Sequence, residues 1–228
     1  ATFAWTCVVA ASNAVGMAAM PLIGALADAK AQKKRWLFAA TALCIAGTVG
    51  LAFSGPGTIA WAAAMVVVSN LGYNVGETLN SAFLPELAKP QAVGKVSGWG
   101  WSFGYCGGIV TLGLSLLLVI GAERFGLTAQ EAVSGTLLIT AAVFAAAAAP
   151  LFLWVKERSA PRESASGCVG VLSAGLQSFR DVAHTLKSLP RFRDFACLAV
   201  CGFCYQCGVA VVITLSAVYA AAVMGFTT

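Results

Sequence analysis

Charge is what this chain has least of. Only 10% of its 228 residues are charged, where soluble domains run near 25%; 59% are hydrophobic and the mean hydropathy is +0.84. A soluble protein with a large core is excluded. The one histidine, His184, sits among basic residues in a polar stretch and reads as solvated, so a site of paired histidine ligands is excluded too. No glycine-rich phosphate loop precedes a helix, and no nucleophile elbow of the G-x-S-x-G kind occurs. An enzyme is therefore not expected, and neither a cofactor nor a metal is implied. Short alternating apolar segments, the mark of a membrane barrel, are also missing.

What is present is a series of apolar runs. A bilayer core of about 30 Å needs roughly 20 helical residues to cross it, and six runs approach or exceed that length: Phe3–Ala27, Trp36–Phe53, Ile59–Leu84, Ser97–Gly121, Gly135–Val155 and Asp194–Met224. Segments in lipid must satisfy their own backbone, and run length selects helices. The expected fold is all-α and integral to the membrane, six transmembrane helices in a bundle: five over 1–155, a polar linker over 156–193, and the sixth over 194–228.

The basic residues are placed unevenly. Lys30, Lys33, Lys34 and Arg35 crowd the first loop, Lys89 and Lys95 the third, and seven Lys or Arg the linker, so thirteen of the fourteen lie on alternate loops. This is the positive-inside pattern. It puts those loops in the cytoplasm and both chain ends opposite, and it gives the net charge of +5 a topological meaning with no nucleic acid involved. Ala1 stands almost inside the first span with no leader before it, which reads as an internal start. The linker combines SAPRESASG, flexible and polar, with Leu176, Phe179, Ala183 and Leu186 opposed to Arg180, His184 and Lys187, an amphipathic helix for the membrane surface.

The most informative stretch is Ser69–Gly108. Asn70, Asn74, Glu77 and Ser81 fall at i, i+4, i+7 and i+11, a stripe about 60° wide on an apolar helix. Such a stripe faces protein or water. Glu77 lies nine residues before Glu86, about 13 Å inside the rim, where a lone ionisable group costs roughly 2.5–3.5 kcal/mol and is a functional candidate by default. The alternative is a protonated carboxyl that only packs. Tyr205 and Gln206 make a second polar spot in the last span. Gly100, Gly104 and Gly108 form a ridge for close helix packing, with Trp99 and Trp101 suited to the interface. Ser12, Asn13 and Gly16 interrupt the first helix, and Pro21 should kink it. Asp28 ends that helix against the macrodipole, as part of a gate or as an ordinary rim.

Cys197, Cys201, Cys204 and Cys207 have the spacing C-x3-C-x2-C-x2-C, of which the first three superficially match an iron–sulfur pattern. They lie in one apolar helix, where cysteine behaves as a small packing residue, and packing is the reading taken.

These features carry a family likeness. GALADAKAQKKR (Gly24–Arg35) resembles the loop between the second and third helices of the major facilitator superfamily, and the linker resembles the connection between that superfamily's halves. NSAFLPELA (Asn80–Ala88), GKVSGWGWSFGYCGG (Gly94–Gly108) and YQCGV with VYAAAVMGF (Tyr205–Val209, Val218–Phe226) resemble the autophagy-related vacuolar amino-acid effluxers. The resemblance implies helices two to seven of twelve, the first five in the N-terminal half. It also implies a cytoplasmic gating loop of Gly24, Asp28, Lys33, Lys34 and Arg35. Ala29 and Ala31 depart from the loop pattern, and Cys207 stands where many members carry an acid. The glycine ridge lacks the antiporter proline.

The expected function is secondary transport of a small solute, most simply an amino acid, by two halves rocking about a midplane site. Asn70, Asn74, Glu77, Ser81, Tyr205 and Gln206 would line the path and Glu77 would carry protons. The partners are then the lipid bilayer, the solute and protons. The host is a vacuolar membrane in a eukaryote, where the likeness ties efflux to autophagy, or the plasma membrane in a bacterium. A scaffold acting through the linker is the competing expectation, and a redox protein using the cysteine row a third. Iron analysis of purified protein tests the last: no stoichiometric iron is expected, and a cluster would overturn the packing reading.

Overall fold

The computed structural model describes residues 2–29, 32–55, 57–122, 124, 126–155, 177, 180, 183–185, 187 and 193–223, with backbone alone at 2–5, 25–26, 28–29 and 214–223. They form α1 (Thr2–Ala29), α2 (Lys33–Ala52), α3 (Ile59–Leu87), α4 (Val93–Gly121), α5 (Ala129–Trp154) and α6 (Arg193–Val223), with a 3-10 turn at Pro90–Ala92. Each of the six contains a segment long and apolar enough to cross a membrane, and no strand occurs among the described residues. The all-α, six-span expectation holds.

Helix ends differ from the apolar runs where polar residues continue the helix. α2 starts three residues early, on Lys33, because lysine is a good helix former. α1 and α3 run on through Pro21 and Pro85. α5 begins six residues before the predicted start, and the cause is a capping box. The Thr128 hydroxyl accepts the Glu131 N–H at 3.3 Å, and the Glu131 carboxylate accepts the Thr128 N–H at 2.8 Å. That T-x-x-E signature is legible in the sequence. In the linker, the described residues 177, 180, 183–185 and 187 are helical, while Leu176, Phe179 and Leu186 lie outside the described residues.

Two units make up the chain, Ala1–Ser178 and Phe179–Thr228. In the first, α3 packs against α1 and α2, α2 also against α5, and α5 against α4. Lipid tails are as apolar as leucine, so these contacts depend on close van der Waals fit and polar bonds between helices. The α2–α3 crossing supplies both. A Cβ on Gly72 would stand 2.7 Å from the Ala40 carbonyl oxygen and 2.7 Å from the Cys44 nitrogen, and one on Gly47 2.7 Å from the Ser69 nitrogen. Beside these contacts the Thr48 hydroxyl donates to the Cys44 carbonyl at 2.9 Å and meets the Ser69 hydroxyl at 3.0 Å. Thr48 has spent its proton, so Ser69 donates across the interface.

Below the crossing, Ala27, Leu37, Ala40, Val75, Leu79 and Phe83 are buried together, with Trp36, Leu151 and Phe152 packed around them. Phe38 meets Phe152 edge-on, centroids 5.3 Å apart. The second unit contributes α6, whose described side chains are nearly all exposed.

Gly72→Ala should lower the stability of the detergent-solubilised protein by about 1–3 kcal/mol, since the added carbon meets backbone that cannot yield. Gly113→Ala, where a Cβ meets nothing within 4 Å, should leave the melting temperature unchanged or raised. Equal behaviour of the two would refute the close crossing.

Candidate functional site

Midway along α1 and α3 the apolar surfaces give way to amides. Ser12, wholly buried, donates its one hydroxyl proton to the Val9 carbonyl at 2.8 Å. Its oxygen can then only accept, and the Asn70 amide donates to it at 2.6 Å. The second hydrogen of that amide goes to Asn13 Oδ1 at 2.7 Å, and the Asn74 amide reaches the same oxygen at 3.4 Å. Gly16, one turn beyond Ser12, lets α1 approach: a Cβ there would touch the Asn74 amide at 3.6 Å. Among the described residues no buried side-chain nitrogen or oxygen lacks a partner.

The predicted stripe is thus divided. Asn70 and Asn74 are half-buried against α1, while Glu77 and Ser81 are exposed. Tyr73, one turn before Glu77 on the same helix, is exposed as well. In the sequence Ser12 and Asn13 only interrupt an apolar run, and their pairing with α3 bridges 58 and 57 residues. Tyr205 and Gln206 lie exposed on α6 in the second unit.

A second polar feature stands at one end of the first unit. Lys33 Nζ pairs with Glu86 Oε1 at 2.9 Å, the two side chains 14% and 18% exposed. Lys34 Nζ donates to the Val155 carbonyl at 2.6 Å, at the C-terminus of α5 where a cation meets the negative end of the helix dipole. The start of α2 and the ends of α3 and α5 therefore meet at one end of the first unit. Arg35 is exposed, and a Cβ on Gly24 would meet nothing within 4 Å. The side chain of Asp28 lies outside the described residues.

On α4 a Cβ at Gly100, Gly104 or Gly108 would find no atom within 4 Å. Trp99 and Trp101 are exposed, and Lys95 stands over the Trp99 ring at 5.6 Å, within cation–π range. Cys197, Cys201, Cys204 and Cys207 are exposed along α6, spread over about 15 Å of helix; Cys168 lies outside the described residues.

Comparison with known proteins agrees with this architecture. The family described as "Vacuole effluxer Atg22 like" matches residues 4–228. The "Uncharacterized MFS-type transporter YxiO" of Bacillus subtilis (strain 168) is 23% identical over 201 residues, which cover 87% of this chain and 45% of that protein. The chain thus spans just under half the length of this relative. No solved structure matches.

Removing either partner of the Lys33–Glu86 pair takes an ion-pair contact from the other at a poorly solvated site. K33M and E86Q should each destabilise the protein, and the double variant should lose about 1 kcal/mol less than their sum. Additive losses in a thermal-unfolding cycle would show that the pair contributes nothing as a pair.

Proposed function

The chain belongs to the vacuole effluxer Atg22-like family, and from that premise we propose that it is part of a secondary transporter for a small solute, most simply an amino acid moving outward. The observation that carries the reading is the amide cluster of Ser12, Asn13, Asn70 and Asn74 halfway along two membrane-length helices. Polar groups at that depth are expensive and mark solute paths by default.

In this reading Asn70 and Asn74 bind the solute from α3, with Glu77 and Ser81 continuing the path along the same helix. Tyr205 and Gln206 on α6 contribute from the C-terminal half. Glu77 takes up and releases a proton as the path opens to either side, coupling solute to a proton gradient. The two halves, five helices over 1–155 and a second half that begins at 194, rock about this depth. The Lys33–Glu86 and Lys34–Val155 contacts keep the first half rigid while it moves. Gly24, Asp28 and Arg35 complete the cytoplasmic gating loop, and the open Gly100, Gly104, Gly108 ridge takes a helix of the second half. The basic loops face the cytoplasm, and the host is a vacuolar membrane in a eukaryote or the plasma membrane in a bacterium.

The test is uptake and efflux of a labelled amino-acid panel in vesicles holding the full-length protein, wild type beside Glu77→Gln. Saturable flux that E77Q reduces at least tenfold, or strips of its pH dependence, is expected. E77Q flux with an unchanged pH profile would remove the proton role. Flux of no panel member, together with loss of a cellular phenotype on deletion of 159–175, would favour the scaffold instead.

A further inference from the structure

The hydrogen bonds between α1 and α3 run in one direction. Ser12 commits its proton to α1's own backbone, so Asn70 must turn its amino group to α1 and spend both hydrogens there. Asn13 in turn must present its oxygen to α3. An amide whose oxygen is engaged presents its amino group elsewhere, and amides whose amino groups are engaged present their oxygens. Asn13 therefore shows an N–H pair on the α1 side, while Asn70 Oδ1 and Asn74 Oδ1 show acceptors on the α3 side. Glu77, exposed one turn beyond Asn74, extends that acceptor face with a negative charge. Asn13 itself is exposed, and among the described residues its amino group has no protein partner to occupy it.

We propose that Asn13 is a specificity-determining residue of this site: by holding Asn70 and Asn74 amino-side inward, it makes α3 the surface for a protonated amine and keeps its own N–H pair for the solute's oxygen-bearing end. This rests on the transport reading above and adds to it an orientation and a residue. Turning Asn70 alone would set its oxygen against the Asn13 oxygen at 2.7 Å, where the two repel, and turning all three amides would require Ser12 to give up the Val9 carbonyl and donate across the interface. A solute with only acceptors, such as a simple carboxylate, meets like-signed oxygens on α3 and is disfavoured.

The test uses the full-length protein in liposomes, native cysteines replaced by alanine, carrying Asn13→Cys. Its rates of modification by 2-trimethylammonioethyl and 2-sulfonatoethyl methanethiosulfonate are each divided by the rate with a small free thiol. Ser12 still holds the Asn70 amino group in this variant, so the cationic reagent should be favoured by about tenfold, as at a cleft lined by one sign of charge, and adding Glu77→Gln should shrink the preference. Equal normalised rates, or no reaction in folded protein, would overturn the proposal. Where N13C does not fold, N13D serves: its carboxylate still accepts from Asn70 and Asn74 but offers no donor. Its ratio of labelled lysine to labelled leucine uptake should rise about tenfold over wild type, and an unchanged ratio would overturn the proposal. Absence of all flux from the wild type would count against the transport reading alone, because the labelling preference still reads the polarity of the α3 face.

Discussion

The near contact of two backbones at Gly47 and Gly72 is the constraint on which the rest depends. In water, burial of leucine and phenylalanine would hold α2 against α3. In lipid that drive vanishes, and helices associate through fit and through polar bonds that cannot be made with the solvent. Two glycines remove the side chains that would keep the axes apart. Thr48, Ser69 and Cys44 then lie close enough to bond across the gap. With that crossing set, Val75, Leu79 and Phe83 fall on one side of α3, against α2 and the end of α5. The Asn70–Asn74 edge is left for α1.

Polar groups serve two purposes in the same helix. At Ser69 and Thr48 every hydroxyl is satisfied within the α2–α3 pair, and nothing is left over. At Asn70 and Asn74 the bonds to α1 use the amino groups and leave the oxygens. An amide has two ends, and engaging one of them determines what the other can bind. A hydroxyl is a looser device, because its proton rotates to suit; Ser12 becomes directional only because burial leaves it the Val9 carbonyl alone.

The charged end of the unit follows a separate logic. Lys33 and Lys34 are neighbours in sequence, and helix geometry sends adjacent side chains in different directions. One reaches a carboxylate on α3 and the other a carbonyl at the end of α5. Two residues therefore tie α2 to both of its neighbours at the rim, where partial burial makes the bonds stronger than at a free surface.

Much was legible from local pattern. The six spans followed from run length, since the bilayer sets a minimum that few other structures mimic. The stripe Asn70–Asn74–Glu77–Ser81 followed from helical period. The apolar run falls short of the start of α5, which the T-x-x-E of Thr128–Glu131 marks six residues ahead of it. The partners of the stripe were not legible. Asn13 looks in sequence like any polar interruption of a span, and Glu86 like any rim carboxylate.

By itself, the sequence determined that the chain is helical and membrane-bound and which face of α3 is polar. These depend on composition and on a period that a single helix carries within itself. Only the tertiary structure decided that the upper half of that face meets Ser12 and Asn13 while Glu77 and Ser81 stay exposed, that Lys33 finds Glu86, and which end of each amide points inward. Those outcomes depend on where two helices cross. The crossing is set by packing between residues tens of positions apart, which no local pattern encodes.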